Sequence, residues 1–211
     1  MSITNSKLDQ ALQDRISSSS NVRTDVTSRR RIFNRVLLEM QLFANWGFSR
    51  QETTFDYDKD TEEYEVVADL GITDFKDVYS IKGSPVYDPR LFLFGLGKKI
   101  IGGKVILLMD LGTASETDVD FEYFSRYLVR DKDTNDLKLE LETNDDYVDA
   151  PEELEPLILE WAVVEAFKNI KKIDKDVLNR AEDKLKQLKN EAFQNYGFSI
   201  KKGIKPINIF R

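Results

Sequence analysis

The sequence contains neither cysteine nor histidine among its 211 residues. Without cysteine it can form no disulfide bond, and it has no thiolate to act as a nucleophile or to bind zinc or an iron–sulfur cluster. Without histidine it lacks the side chain that most often exchanges protons near neutral pH. The usual catalytic triads are therefore excluded, and any catalysis would have to use carboxylates, lysine, serine or tyrosine.

Long apolar segments are missing as well. The first twenty residues lack the apolar centre of a signal peptide, and no apolar run reaches the roughly 18 to 20 residues that cross a bilayer. We therefore expect a soluble protein that is made in the cytoplasm and has no membrane partner. Apolar side chains make up 41% of the chain, which is enough for a folded core.

The charges are unevenly distributed along the chain. Residues 1–50 carry eight basic and four acidic side chains, whereas residues 110–160 carry four basic and seventeen acidic ones. Residues 194–211 carry four basic side chains and no acidic one, although the whole chain has a net charge of −7. Basic and acidic regions at different places in one chain favour head-to-tail contacts between copies, and a solvated acidic surface is the simpler alternative.

The first fifty residues show the periodicity of two amphipathic helices. Asn5–Ile16 carries a short apolar stripe, which the serines at 17–20 are expected to interrupt. A longer helical pattern runs from Thr24 to about Trp46, and Gly47 is placed to end it. The apolar stripe of this second helix predicts that it belongs to the core.

The middle of the chain changes to a period of two, which predicts strands. Residues 53–57 and 64–68 flank an acidic turn and predict a β-hairpin. Further strands are predicted near residues 78–81, 104–109, 125–130 and 137–141, the last two around a second acidic turn. Residues 91–96 are apolar enough to predict a short turn of helix.

Helix is predicted again after Pro151, whose fixed geometry suits the first turn of a helix. A break near Ile173 divides this region into two segments, which predict a helical hairpin. Beyond residue 193 apolar and basic side chains alternate, as expected of an arm that lies along another surface. The arm residues predicted to bind a partner are Ile200, Lys201, Lys202, Lys205, Ile207, Phe210 and Arg211.

These patterns predict an α+β protein with a mainly helical core, formed by the long N-terminal helix and the C-terminal helical hairpin. An antiparallel β region is inserted into this core, and an extended arm follows it. The predicted division is residues 1–50 for the N-terminal helices, 51–150 for the β-rich middle with acidic loops, 151–193 for the helical hairpin and 194–211 for the arm. We expect one structural domain plus the arm.

Two segments resemble ligand-binding loops. Residues 131, 133, 135 and 142 have the oxygen-ligand spacing of a calcium loop, but Asp136 stands where the sharp turn needs glycine. Residues 95–104 are rich in glycine and lysine, yet Val105 follows Lys104 where a phosphate loop needs serine or threonine. We interpret both as ordinary turns and keep calcium binding as an alternative. No catalytic residue, cofactor site or metal site is predicted.

A basic cluster lies near the start of the second helix and consists of Arg29, Arg30, Arg31 and Arg35. Arginines can bind nucleic-acid phosphates, so a nucleic-acid-associated protein is another alternative. Against it, the net charge is −7 and no aromatic platform or DNA-binding motif surrounds the arginines. We interpret the cluster as a subunit interface, or as salt bridges to the acidic middle of the same or a neighbouring chain.

The order of features along the chain is itself informative. A short helix precedes a long one that ends in Phe43-Ala44-Asn45-Trp46, and Pro151-Glu152-Glu153-Leu154 opens the terminal hairpin. Between them lie Glu63-Tyr64-Glu65-Val66 and Asp74-Phe75-Lys76-Asp77-Val78. This layout resembles the head-to-tail connector, or adaptor, proteins of tailed bacteriophages. The resemblance covers most of residues 5–193 and rests on layout.

The resemblance implies a non-enzymatic structural protein of the virion neck that is present in the host cytoplasm during assembly. Its implied partners are the portal protein, gripped by the C-terminal arm, other tail or neck proteins, and further copies of the chain in a ring, commonly a dodecamer. Double-stranded DNA would pass through this ring without sequence-specific contacts. An acidic channel wall would repel the DNA phosphates and let the genome slide.

Overall fold

The computed structural model describes residues 3–20, 24–85, 97–170 and 173–198. Within these residues the chain forms four α-helices, two on each side of a long region of strands. The helices are α1 (Asn5–Ser20), α2 (Val26–Phe43), α3 (Glu155–Lys168) and α4 (Lys175–Tyr196). Single turns of 3-10 helix precede β3 at residues 47–49 and α3 at residues 152–154.

The strands of the described residues form antiparallel pairings only. They are β1 (Ile3–Thr4), β2 (Asn45–Trp46), β3 (Arg50–Tyr57), β4 (Glu63–Glu65), β5 (Phe75–Ile81), β6 (Ser84–Pro85), β7 (Gly97–Ile101), β8 (Lys104–Leu108), β9 (Glu116–Ser125), β10 (Val129–Arg130), β11 (Leu137–Lys138), β12 (Tyr147–Val148) and β13 (Gly197–Phe198). Their order is β1-β12-β10-β11, β13-β2, β3-β9-β5-β6 and β4-β8-β7 in four sheets.

The first core lies among the helices. Asp25 caps the N-terminus of α2 by accepting a hydrogen bond from the backbone N–H of Ser28 at 2.9 Å, and the stripe that follows buries Phe33 and Met40. α3 is apolar around most of its circumference because it packs against α1, α2 and α4 at once. The short sheet β1-β12-β10-β11 adds buried side chains, such as Val148, to the same core.

The second core belongs to the strands, and it shows that the predicted mainly helical core is wrong. Sheets β3-β9-β5-β6 and β4-β8-β7 bury a separate apolar set rich in aromatic rings. The inward positions of β9 and of the end of β3 are apolar and buried, so these strands bury a face of their own. The chain is α+β, with about 42% of the described residues in helices and 28% in strands.

The predicted hairpin between residues 53–57 and 64–68 is also wrong. β3 pairs with β9 and β4 pairs with β8, so the acidic turn carries the chain from one sheet to the other. The hydroxyl of Tyr64 secures this crossing, because it accepts from the backbone N–H of Asp58 at 2.7 Å and contacts its carbonyl at 3.0 Å. Two strands that flank the same turn in the sequence are therefore not necessarily paired with each other.

The helix ends differ from their predicted positions. The serines at 17–20 do not interrupt the first helix, since α1 continues to Ser20. α2 ends at Phe43, before the predicted Gly47, where the Lys76 ammonium group donates to the carbonyls of Gln41 and Ala44. A cation at the C-terminus of a helix satisfies free carbonyls and stabilises the helix dipole. Burial lowers the pKa of Lys76 to about 8.

The C-terminal end of the described chain is fastened to the fold. α4 runs to Tyr196, three residues beyond the predicted end of the helical hairpin, and β13 then pairs with β2. Gly197 lies so close to Phe193 that a Cβ atom placed there would be 2.4 Å from the ring. The predicted turn at residues 91–96 and most of the predicted arm lie outside the described residues.

Candidate interaction surfaces

One surface of the sheet β3-β9-β5-β6 carries a group of carboxylates, here called the acidic face. It consists of Glu52 and Asp56 of β3 with Asp118, Asp120 and Glu122 of β9. The period of a strand places these side chains opposite the buried aromatic face. In the register of the pair, Glu52 lies opposite Glu122, and the backbone N–H of Asp118 donates to Asp56 at 3.1 Å.

The carboxylates of the acidic face are not neutralised by the described part of the chain. In residues 3–20, 24–85, 97–170 and 173–198, none of the five forms an ion pair. Glu122 accepts a hydrogen bond from the hydroxyl of Ser80 at 2.7 Å, and the nearby Lys82 pairs instead with Glu116. Like charges opposite each other destabilise a sheet, so the acidic face is held at a cost in stability.

A second surface is a cavity of about 330 Å³ beside α2, here called the basic groove. Its apolar wall includes Leu38 and Leu139, which are 54% and 56% exposed. Its basic lining consists of Arg31 and Arg35 of α2 and Arg126 just after β9, against a single carboxylate, Glu140. The groove therefore combines exposed leucine side chains with a net positive lining.

The basic groove also contains a buried amide without partners. Gln41 lines it and is only 4% exposed, yet neither its Oε1 nor its Nε2 has a hydrogen-bond partner among the described residues. An unpaired buried amide costs free energy, about 1–3 kcal/mol in proteins. Arg31 is exposed and likewise makes no ion pair or hydrogen bond within the described ranges. The exposed Arg31 guanidinium can donate hydrogen bonds to an incoming molecule.

The structure separates the four arginines of the predicted basic cluster. Arg29 is buried and pairs with Asp9 at 2.7 Å. Arg30 donates to the Asn144 side chain at 3.0 Å, and Arg35 pairs with Glu39 at 3.0 Å. Only Arg31 and Arg35 line the basic groove. The cluster is thus divided between packing within the chain and an accessible surface.

The acidic turn at residues 131–136, which resembles a calcium loop in sequence, is stabilised by an ion pair with Lys138. Lys138 pairs with Asp131 at 2.6 Å, and this contact lowers the pKa of Asp131 to about 2. Burial alone would raise the pKa of the neighbouring Asp146, but the backbone N–H groups of Thr143 and Glu142 outweigh it and lower the pKa. In the part of the chain that is described, no group of three acidic side chains could hold a metal ion.

The predicted partner-binding residues of the arm, from Ile200 to Arg211, lie outside the described residues, but the point from which they leave is defined. Trp46 is fully buried, donates from its indole nitrogen to the Met40 carbonyl at 2.7 Å and stacks on Phe48. Phe48 in turn meets the Tyr196 ring edge to face. β13 continues from this aromatic cluster, so the arm begins from a rigid position.

Sequence reasoning predicted Arg31 and Arg35 as part of a basic cluster but did not identify either surface as a whole, although each left a signal. Residues 118–123 alternate strictly between acidic and apolar side chains, which is typical of a half-buried strand with an acidic outer face. Leu38 and Leu42 of α2 are spaced by one turn on the side away from the core stripe. The contribution of Arg126 and Leu139 to the groove depends on tertiary packing and had no local signal.

Comparison with known proteins adds no family. No protein-family model matches the chain, and a search of curated proteins finds no match either. None of the helices in the described ranges has both the length and the apolar character needed to cross a membrane. The two surfaces and the layout of the chain are the features that bear on its function.

Proposed function

We propose that this chain is a head-to-tail connector of a tailed bacteriophage, a structural protein of the virion neck. Copies of it form a ring below the portal, which joins the capsid to the tail and lets the genome pass. The work is mechanical: subunits must bind each other and both neighbours, and no substrate is transformed. The order of helices and strands along the chain, described above, supports this proposal.

The observation that carries the proposal is the presence of two surfaces of opposite charge on one chain, in which Arg31 and the five carboxylates of the acidic face form no ion pair within the described residues. The acidic face and the basic groove are joined by β9 and the residue after it. Glu122 and Arg126 are four residues apart, about 13 Å in a strand, and Asp118 is about twice as far away. At these distances the carboxylates of the acidic face do not reach the arginines of the groove on the same chain, which favours pairing between copies. Such head-to-tail contacts form a closed ring when the rotation from one copy to the next adds up to a full turn.

Passage of DNA favours a wall that does not bind phosphate. Exposed carboxylates beyond the acidic face occur in the turns around residues 131–136 and 140–145. Carboxylates on a channel wall repel the phosphates of the duplex and prevent adhesion. We therefore place part of the acidic segment 110–160 at the channel, as a component of the same proposal.

The arm completes the proposed assembly. Residues 199–211 follow directly on β13 and include Lys201, Lys202, Lys205 and Arg211 without a carboxylate side chain. Their alternation with apolar residues suits binding along the surface of another protein, and we assign them to the portal. The anchored root at Trp46 and Tyr196 would transmit force from the portal to the helical core.

The experiment that tests the proposal is mass spectrometry of purified phage particles, combined with co-sedimentation of the purified chain with portal rings from the same phage. The chain is expected in the virion in multiple copies per portal and in the pellet with portal rings. Its absence from particles, together with no binding to portal rings, would overturn the proposal. A capsid protein preparation without portal serves as the control for nonspecific sedimentation.

A further inference from the structure

We propose that the basic groove of one copy binds the acidic face of the next copy, head to tail. This inference rests on the proposed ring in its biological setting, but the contact itself is a property of two copies of the chain. It names the partner of each surface: carboxylates of β3 and β9 enter a groove lined by arginines and an unpaired amide. Within the described part of the chain, Arg31 and the five carboxylates of the acidic face form no ion pair, whereas Arg35 of the groove pairs with Glu39 and Glu165.

The groove has the chemistry of a carboxylate site. Arg31 has no partner among the described residues and can donate two parallel hydrogen bonds to one carboxylate. Gln41 has a free amide N–H group at a position that is 4% exposed. A carboxylate bound to Arg31 would also cover the exposed side chains of Leu38 and Leu139.

The acidic face has the matching chemistry. Its five carboxylates carry no ion pair within the described residues, and Glu52 faces Glu122 directly. A positive partner removes this repulsion, so the contact stabilises both sides at once. Thr54 lies opposite Asp120 in the same register. Its side chain is small and uncharged, so it does not prevent the acidic face from contacting the groove of another copy.

The other available occupant of the groove is the chain's own arm, residues 199–211, and its charge argues against it. The arm has four basic side chains and no acidic one, whereas the groove is lined by three arginines and one glutamate. Like charges in contact are unfavourable, and this repulsion would also exclude the arm of a neighbouring copy. The acidic face has the opposite charge, and its five carboxylates form no ion pair within the described residues.

The absence of cysteine makes a direct test possible, because each introduced cysteine is unique. Leu38→Cys marks the groove and Thr54→Cys marks the acidic face. The two full-length variants are mixed and treated with a short bis-maleimide. Val26→Cys, at the start of α2 and 45% exposed, replaces the groove variant as the matched control. We expect a cross-linked dimer from Leu38→Cys with Thr54→Cys and at most a trace from the control.

Charge reversal tests the chemistry of the contact. Adding Arg31→Glu to the groove variant should reduce the cross-linked yield by about tenfold or more, because it places like charges together. Adding Asp120→Lys to the Thr54→Cys variant should restore the yield in that mixture. Circular dichroism of every variant confirms that the fold is kept. Equal cross-linking in all mixtures, or none in the first, would overturn the proposal.

The direction of the contact has its own readout. A chain with both cysteines should give a ladder of trimers and larger species, because a head-to-tail contact continues from copy to copy. A reaction that stops at dimers would contradict the head-to-tail arrangement. A ring on the portal without this cross-link would refute the groove contact alone, and the cross-link without portal binding would refute the connector alone.

Discussion

Glu52 lies directly opposite Glu122 in the antiparallel pair of β3 and β9. Side chains at opposed positions of a sheet are neighbours, and two carboxylates there repel each other. A chain that only had to fold would gain stability from a neutral or basic residue at either position. The repulsion is consistent with a surface that is completed by another molecule.

The first prediction concerns this pair. Glu52→Gln should raise the free energy of unfolding of the dilute chain by about 0.5 kcal/mol, because it removes the repulsion and leaves the hydrogen bond from Ser80 to Glu122 intact. Urea denaturation measures the change. Glu63→Gln is the control, since Glu63 is paired with Lys99 and its loss should not stabilise the chain. A lower stability for Glu52→Gln would show that the acidic face is not strained.

The second prediction separates two neighbouring arginines of α2. Arg29→Met should lower the free energy of unfolding by about 3 kcal/mol, because it leaves the partly buried Asp9 carboxylate without its partner. Arg31→Met should change it by less than about 0.5 kcal/mol, since Arg31 is exposed and unpaired within the described residues. Thermal and urea unfolding of both variants provide the comparison, and equal effects would contradict the division of the cluster.

The third prediction is a dependence on pH. The pKa of Asp131 is lowered to about 2 from its ordinary 3.8, chiefly by Lys138, so the ionised form is favoured in the folded chain. The contribution of this pair to stability is fully present above about pH 4 and is lost as the pH falls through about 2. Carboxyl titration by NMR should give Asp131 a midpoint near 2.

Lys138→Met tests the cause of that shift. It should move the titration midpoint of Asp131 upwards, towards the ordinary value, because it removes the ammonium group at 2.6 Å. Lys132→Met is the control, since Lys132 pairs with the exposed Asp145 and not with Asp131. An unchanged midpoint in Lys138→Met would mean that the backbone N–H groups of Asp133 and Thr134 hold the charge alone.

The fourth prediction concerns the arm. Deleting residues 199–211 should leave the melting temperature unchanged, because β13 and the contact of Tyr196 with Phe48 remain, but it should abolish sedimentation with portal rings. Deleting residues 195–211 should also lower the melting temperature, since it removes both of those contacts. Undiminished portal binding by the shorter deletion would contradict the assignment of the arm.

Local sequence patterns predicted the helices better than the strands, for a physical reason. The apolar stripe of α2 is a signal that lies within one or two turns of helix. The pairing of β3 with β9 joins residues 59 to 74 positions apart, so the local pattern could not distinguish it from a hairpin. The second core follows from that pairing, which is why a mainly helical core was predicted.

The two surfaces could likewise not be predicted fully from local sequence patterns. The alternation at residues 118–123 indicates one acidic strand face, but only the register places Glu52 and Asp56 beside it. The basic cluster was visible as a run of arginines, whereas the buried contact of Arg29 with Asp9 depends on the packing of α1 against α2. A site that assembles from distant segments requires tertiary structure to be recognised.

The most direct test of the central claim is electron microscopy of the purified chain mixed with portal rings of the same phage. The account predicts an additional ring of density on one end of the portal, with the same symmetry axis, that is absent when residues 199–211 are deleted. A chain that remains unassembled, with bare portal rings in every image, would contradict it.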